Sequence, residues 1–212
     1  MPGILGTKIG MTQIYDDDGT AVPVTLIKAG PCVVVQRKTA ETDGYEAVQL
    51  GLVEARAIKH TNQPRAGHFA RAGVEPTRRL AEFRVEADDE LQPGDEVRVS
   101  RFEVAEYVDV SATSKGKGFQ GVIKRHGHHG GRATHGSMFH RTPGSIGQAS
   151  DPSRVFPGVK LPGQMGNKQI TSKNLLVVKV DEEQDLLYLR GAVPGPRGGT
   201  ISIRRAKKGT SR

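Results

Sequence analysis

Between Ser111 and Lys173 the chain places ten Lys or Arg residues, twelve glycines and five histidines against a single acid, Asp151. No other feature limits the fold as much. Glycine brings no side chain to a core and loses more conformational freedom on ordering than any other residue, so this stretch cannot build an ordinary hydrophobic interior. Its turn pairs, Pro143-Gly144, Pro157-Gly158, Pro162-Gly163 and Gly166-Asn167, set it apart from a disordered linker, which would carry more Ser, Glu and Gln. Elsewhere the charge balance is different. Residues 1–110 hold 13 basic and 18 acidic side chains, residues 174–194 hold 2 and 4, and residues 195–212 hold 6 and none. The positive excess of this +8 chain therefore sits in one insertion and one short tail, a pattern suited to a polyanionic partner.

The flanking sequence reads as short strands. Asp16-Asp-Asp-Gly19 is a hairpin turn leading into the apolar run Ala21–Lys28, which Gly30-Pro31 ends before Cys32–Arg37. Tyr45–Val53 alternates in steps of two and predicts a half-buried strand, as does Val104–Val110. Phe83–Val85 and Glu96–Val99 flank a turn at Leu91–Asp95, and His60–Gly73 holds one short helix starting near Pro64. After the insertion, LLVVKV and LLYLRGAV flank Asp181–Asp185 as a hairpin, with a last strand at Thr200–Ile203. The expected fold class is mainly β. A small closed barrel (or a sandwich), discontinuous over 1–110 and 174–205, is interrupted at 111–173 by an extended basic arm with little regular structure. Residues 206–212 form a basic tail. A mean hydropathy of −0.46 agrees with a chain of which part serves no core.

Cys32, the single cysteine, excludes an intrachain disulfide and suits a reducing cytoplasm. The first residues lack the pattern of a secretory signal, and no apolar run approaches the ~20 residues of a membrane span, so a cytoplasmic, membrane-free protein is expected.

Within the insertion, Lys115, Lys117, Lys124 and Arg125 surround glycines that let backbone approach a bulky polyanion, and the cations neutralise phosphates. Phe119, Val122 and Ile123 have helical spacing, which predicts a helical turn over Phe119–Arg125. No G-x-x-x-x-G-K-[ST] follows a strand, so this is not a phosphate loop of that kind. His126, His128, His129, His135 and His140 could be zinc ligands, but structural zinc sites usually draw on paired cysteines, and Cys32 is remote. Stacking on bases and hydrogen bonding to phosphate suit them better, with Arg132, Arg141, Arg154, Lys160, Lys168 and Lys173 as phosphate partners. Gly147 beside Gln148 presents a glutamine at a loop tip. Ser137, His135 and Asp151 lack the context of a catalytic triad, and neither a catalytic residue, nor a metal, nor a cofactor is expected. Lys8 among glycines is a further RNA-contact candidate, and Arg65, His68, Arg71, Arg78 and Arg79 form a second basic patch.

Several segments carry a resemblance. Gly3-Ile-Leu-Gly-Thr-Lys-Ile-Gly-Met-Thr12, Lys115-Gly-Lys-Gly-Phe-Gln-Gly121, Arg141-Thr-Pro-Gly-Ser-Ile-Gly-Gln148, Pro162-Gly-Gln-Met-Gly-Asn167 and Gly191-Ala-Val-Pro-Gly195 occur in order along the chain. Together they resemble the large-subunit ribosomal protein L3 family in its bacterial form. The resemblance implies a β-barrel on the subunit surface and an arm threading into ribosomal RNA toward the peptidyl transferase centre. It also implies binding near the 3′ region of that RNA, an early role in subunit assembly, and neighbouring large-subunit proteins as partners. Gln148 matches a position that a dedicated methyltransferase converts to N5-methylglutamine in bacterial relatives. The tryptophan that eukaryotic relatives carry at the arm's end has no counterpart here, since the chain has none. No homo-oligomer is expected. The competing readings are an RNA- or nucleotide-directed enzyme using the histidines and a free-standing RNA chaperone.

Overall fold

A computed structural model describes residues 3–54, 56, 58, 60–85 and 91–206. Strand outweighs helix by 40% to 11%, which makes the fold mainly β. The described chain divides into two compact units, one reaching Thr113 and resuming at Gln169, the other spanning Ser114–Lys168.

The first unit opens with β1 (Ile4–Tyr15), which turns at Asp16–Gly19 into β2 (Ala21–Ala29). Gly19 closes that turn at φ 74°, a left-handed value that glycine reaches without a Cβ clash, and donates its N–H to the Asp16 carbonyl at 2.8 Å. Then come β3 (Cys32–Lys38), a one-turn helix α1 (Ala40–Asp43) and β4 (Ala47–Leu52). Helix α2 (Gln63–Ala72) has Pro64 in its first turn and ends at Gly73 with φ 67°, as the start and stop signals of the sequence predict. Strands β5 (Arg79–Arg84) and β6 (Glu96–Val97) precede a 3-10 turn at Val99–Arg101 and β7 (Tyr107–Thr113). The second unit holds β8 (Gly118–Gln120), α3 (Val122–His126) and β9 (Gly163–Met165). The chain returns through β10 (Gln169–Asp181), β11 (Leu186–Arg190) and β12 (Thr200–Arg205).

Six strands pair antiparallel in the order β1–β12–β7–β10–β11–β2, and β2 pairs back to β1. Every strand of this sheet thus has two hydrogen-bonded neighbours. Alternate residues turn to one side: Ile4, Ile27, Val108, Val110, Leu187, Leu189, Ile201 and Ile203 are all buried. Register keeps them level, with Ile203 opposite both Ile4 and Val110, and Ile27 opposite Leu187.

A second, four-stranded sheet, β5–β4–β3–β6, contributes Cys32, Val34, Val48, Leu50, Leu52 and Phe83 to the same hydrophobic cluster. Sequence periodicity predicted one half-buried face for Tyr45–Val53. The structure corrects this, because Ala47 and Gly51 are buried as well as Val48, Leu50 and Leu52. The reason lies in the following segment. His68 of α2 reaches the Gln49 side chain at 2.7 Å, and Thr77 packs on Gly51, so the face that alternation assigned to water is covered. Val104 lies outside β7 and is exposed; the turn at Ala105 (φ 68°) precedes the strand.

Two predictions follow from this packing. A Cβ at Gly51 would collide with the Thr77 hydroxyl, which is buried without a hydrogen-bond partner, so Gly51→Ala should lower stability by about 1–3 kcal/mol in urea titrations. Burial, reinforced by the Asp185 charge, pushes the Cys32 thiol from its ordinary 9.0 up to about 12. Native protein should resist iodoacetamide at pH 8 and react once unfolded. Because the folded state holds this proton more tightly, the contribution is complete below about pH 9 and lost as pH rises toward 12.

Candidate nucleic-acid interface

Ser114–Lys168 starts and ends on a backbone clasp. Ser114 N–H donates to the Lys168 carbonyl at 2.8 Å, and Lys168 N–H donates to the Ser114 hydroxyl at 3.3 Å. Strands β8 and β9 pair just beyond it, Phe119 opposite Gln164. Sequence spacing put Phe119 on a helix as its anchor. It lies instead on β8, 75% exposed, and the helix begins only at Val122, which is the buried residue. Glycine at 121 ends the strand and caps the helix in extended conformation, an interruption that the i, i+3, i+4 pattern does not register.

Two of the proposed RNA contacts hold this unit together. Arg125 donates from Nη1 to the Leu161 carbonyl at 2.5 Å, and His126 Nε2 lies 3.1 Å from the same oxygen. Gly163 leaves the room: a Cβ there would sit 2.9 Å from Arg125 Nη1. Farther out, His140 Nδ1 lies 2.9 Å from the Arg132 carbonyl, and Gly131 N–H donates to the His140 carbonyl at 3.0 Å. Gly130 and Gly131 pass so close to His140 and Phe139 that a Cβ would strike their carbonyl oxygens. The loop therefore has internal order without a core.

Lys115, Lys117, Lys124, His129, Arg132, His135, His140, Arg141, Arg154, Lys160, Lys168 and Lys173 are exposed, as is Gln148, while Arg125, His126 and His128 are half-buried. Lys173 lies on β10, in the first unit, because pairing with β7 begins at Gln169. Among the described residues, no cation of 114–168 has a carboxylate within 4.0 Å. The first unit differs sharply. There Arg37 pairs with Glu46 at 2.9 Å, Lys38 with Glu82 at 2.9 Å, Arg98 with Glu96 at 3.1 Å and Arg205 with Glu106. The Tyr45 hydroxyl and Glu82 together hold the Lys38 ammonium above its ordinary range, and Lys38 holds Glu82 below the usual carboxylate range. Among the described residues, no group of three or more His, Cys, Asp or Glu is placed to hold a metal ion.

Lys8 is the departure. It is 9% exposed, and its ammonium donates to the carbonyls of Val193 (2.6 Å) and Gly195 (3.3 Å), while its backbone pairs with Gly198 and Gly199. Its charge thus organises the turn after β11 rather than facing outward, and no local sequence signal links residues so far apart. In the second patch, Arg65 donates to the Thr77 carbonyl at 2.9 Å, His68 meets Gln49, and Arg78 lies 3.9 Å from Glu54; Arg71 and Arg79 are exposed. The basic tail lies outside the described residues from residue 207 onward.

The arrangement can present many positive charges, without carboxylate partners among the described residues and on thin glycine-rich backbone, to a polyanion. Comparison with known proteins gives that class a family. The family model for ribosomal protein L3 matches residues 80–186. The chain is 56% identical over 208 residues to the large ribosomal subunit protein uL3 of Solibacter usitatus, covering 98% of this chain and 99% of the relative. It is 56% identical over 207 residues to that of Carboxydothermus hydrogenoformans, with 98% of each covered, and 53% identical over 207 residues to that of Thermotoga maritima, again with 98% of each covered. The chain belongs to the ribosomal protein L3 family, whose members are structural, non-enzymatic proteins of the large subunit of the cytoplasmic ribosome.

The buried ammonium gives a test of structure against surface. Lys8→Met should cost about 1–3 kcal/mol in urea unfolding, since it strands the Val193 carbonyl. Lys124→Met, at an exposed position, should stay within ~0.5 kcal/mol of the parent.

Proposed function

We propose that this protein is a structural constituent of the large ribosomal subunit that binds ribosomal RNA directly through Ser114–Lys168. The observation that carries the reading is the set of exposed cations in that unit, none of which has a carboxylate within 4.0 Å among the described residues, whereas all five side-chain ion pairs among the described residues lie in the first unit. Unpaired cations on a glycine-rich strap gain from phosphate neutralisation without first breaking internal ion pairs. The relatives' name as large-subunit proteins supports the same partner. On this reading the ring of six paired strands is a closed barrel that stays at the subunit surface, where neighbouring ribosomal proteins dock. The arm enters RNA near the 3′ region during early assembly and buttresses RNA around the peptidyl transferase centre.

The contact set comprises Lys115, Lys117, Lys124, Arg132, Arg141, Arg154, Lys160 and Lys168, with Lys173 and the histidines at 126, 128, 129, 135 and 140 beside them. Arg125 and His126 serve chiefly to fix the arm's base. Lys8 acts through the turn it organises. Gln148 is the candidate for N5-methylation, and its exposed position suits access by a methyltransferase.

Limited proteolysis tests the central claim. Trypsin should cut the purified protein rapidly within 115–173 and slowly after reconstitution with large-subunit ribosomal RNA. The logarithm of the affinity should fall steeply and linearly with the logarithm of salt concentration. Equal cutting in both states would overturn the reading. Intact-mass analysis of protein from its native host should show one added methylene mapping to Gln148.

A further inference from the structure

Phosphate neutralisation leaves one property of the second unit unexplained. Several of its large apolar side chains are turned outward: Phe119 is 75% exposed, Met138 98%, Phe139 43% and Phe156 48%. Two of the three phenyl rings have surroundings that suit a planar ligand. Phe119 stands on β8 with Gly118 before it and Gly121 two residues on, and at 75% exposure its ring is open to solvent. Phe156 carries the Arg154 guanidinium over its ring, 5.2 Å from the centroid, and remains half open. Phe139 differs, since its ring lies 3.6 Å from the Cβ position of Gly144 and its carbonyl closes on Gly131, which makes it part of the loop's own packing.

We infer that Phe119 and Phe156 are base-stacking positions, on which the arm receives unpaired nucleobases of its RNA. The inference rests on the RNA-binding reading above and goes beyond it, because charge alone holds a backbone without regard to its bases. Three observations favour a nucleobase over an apolar protein surface. Each ring has glycine or a cation beside it, Gly118 and Gly121 at Phe119 and the Arg154 guanidinium at Phe156. Lys117 lies two residues from Phe119 and Arg154 two from Phe156, so each ring has a phosphate-binding charge at about the reach of one nucleotide. An arginine already laid over one ring is the arrangement that extends a stack to a base, since guanidinium, ring and nucleobase are all planar.

The chain contains no tryptophan, which makes a direct test available. Phe119→Trp and Phe156→Trp each place a single indole in the full-length protein, and Tyr15→Trp, at a 68% exposed position in the first unit, serves as the reference. On titration with large-subunit ribosomal RNA, indoles at 119 and 156 should be quenched by stacking, and the one at 15 should not. In parallel, Phe119→Leu and Phe156→Leu should each weaken binding by about ten-fold with an unchanged salt slope, because a stack releases no counterions, and Phe→Tyr should restore it. Arg154→Ala should instead reduce the salt slope by about one. Circular dichroism and urea midpoints equal to the parent's show that the variants are folded. Salt-sensitive binding with unquenched indoles, or with leucine variants at parental affinity, overturns the stacking sites and leaves the RNA-binding reading standing. A blue shift without quenching, seen only when ribosomal proteins are added, assigns the rings to a protein neighbour and equally overturns the inference. Failure of the parent to bind the RNA at all refutes the functional reading itself.

Discussion

The pairing of β7 with β10 is the contact on which the molecule depends. Thr113 stands opposite Gln169, so the chain leaves the six-stranded sheet and re-enters it at neighbouring residues. One antiparallel ladder thereby does two jobs. It supplies Val108, Val110 and Ala112 on one side and Val177 on the other to the core, and it brings Ser114 and Lys168 within hydrogen-bonding distance. Everything between those two residues is free of any obligation to the core. That is why its composition can be given over to glycine and cations.

Charge follows the same division. In the first unit, carboxylates lie within reach of arginines and lysines, and networks such as Lys38–Tyr45–Glu82 occupy both signs locally. Exposed pairs of this kind contribute little to stability, with a median of ~0–1 kcal/mol. Their larger effect is on specificity, because a cation that already has a carboxylate partner offers less to a polyanion. In the second unit the only acid is Asp151, and positive charge accumulates unmatched. On the proposed reading, binding is directed to one part of the chain by where acids are absent as much as by where bases are present.

Much of this was legible in the sequence, and the failures have physical causes. The hairpin at Asp16–Gly19, the strand pair β10–β11, the start of α2 near Pro64 and the exceptional character of 111–173 all rest on local chemistry, so local chemistry reveals them. The helix begins at Val122 and not at Phe119 because Gly121 breaks the run, whereas the helical spacing of the three apolar residues carries no sign of that break. The half-buried face assigned to Tyr45–Val53 failed for another reason: alternation identifies one buried face but says nothing of a later segment covering the other, as α2 and Thr77 do. Lys8 is the deepest case. Its partners, Val193 and Gly195, lie at the opposite end of the chain, and only the fold brings them to its ammonium. Arg125 and His126 resemble the other basic residues of the arm in sequence, yet both side chains lie against the Leu161 carbonyl.

The clasp between Ser114 and Lys168 has an evolutionary consequence. Because the sheet fixes the two ends of the excursion as neighbours, the entropy of closing it depends only logarithmically on its length, and doubling the loop costs only ~0.6 kcal/mol. Residues can accordingly be added to or removed from the far reaches of this segment with almost no penalty to the β body. On the RNA-binding reading proposed above, its length is then free to follow the depth of the RNA it reaches, without a redesign of the scaffold.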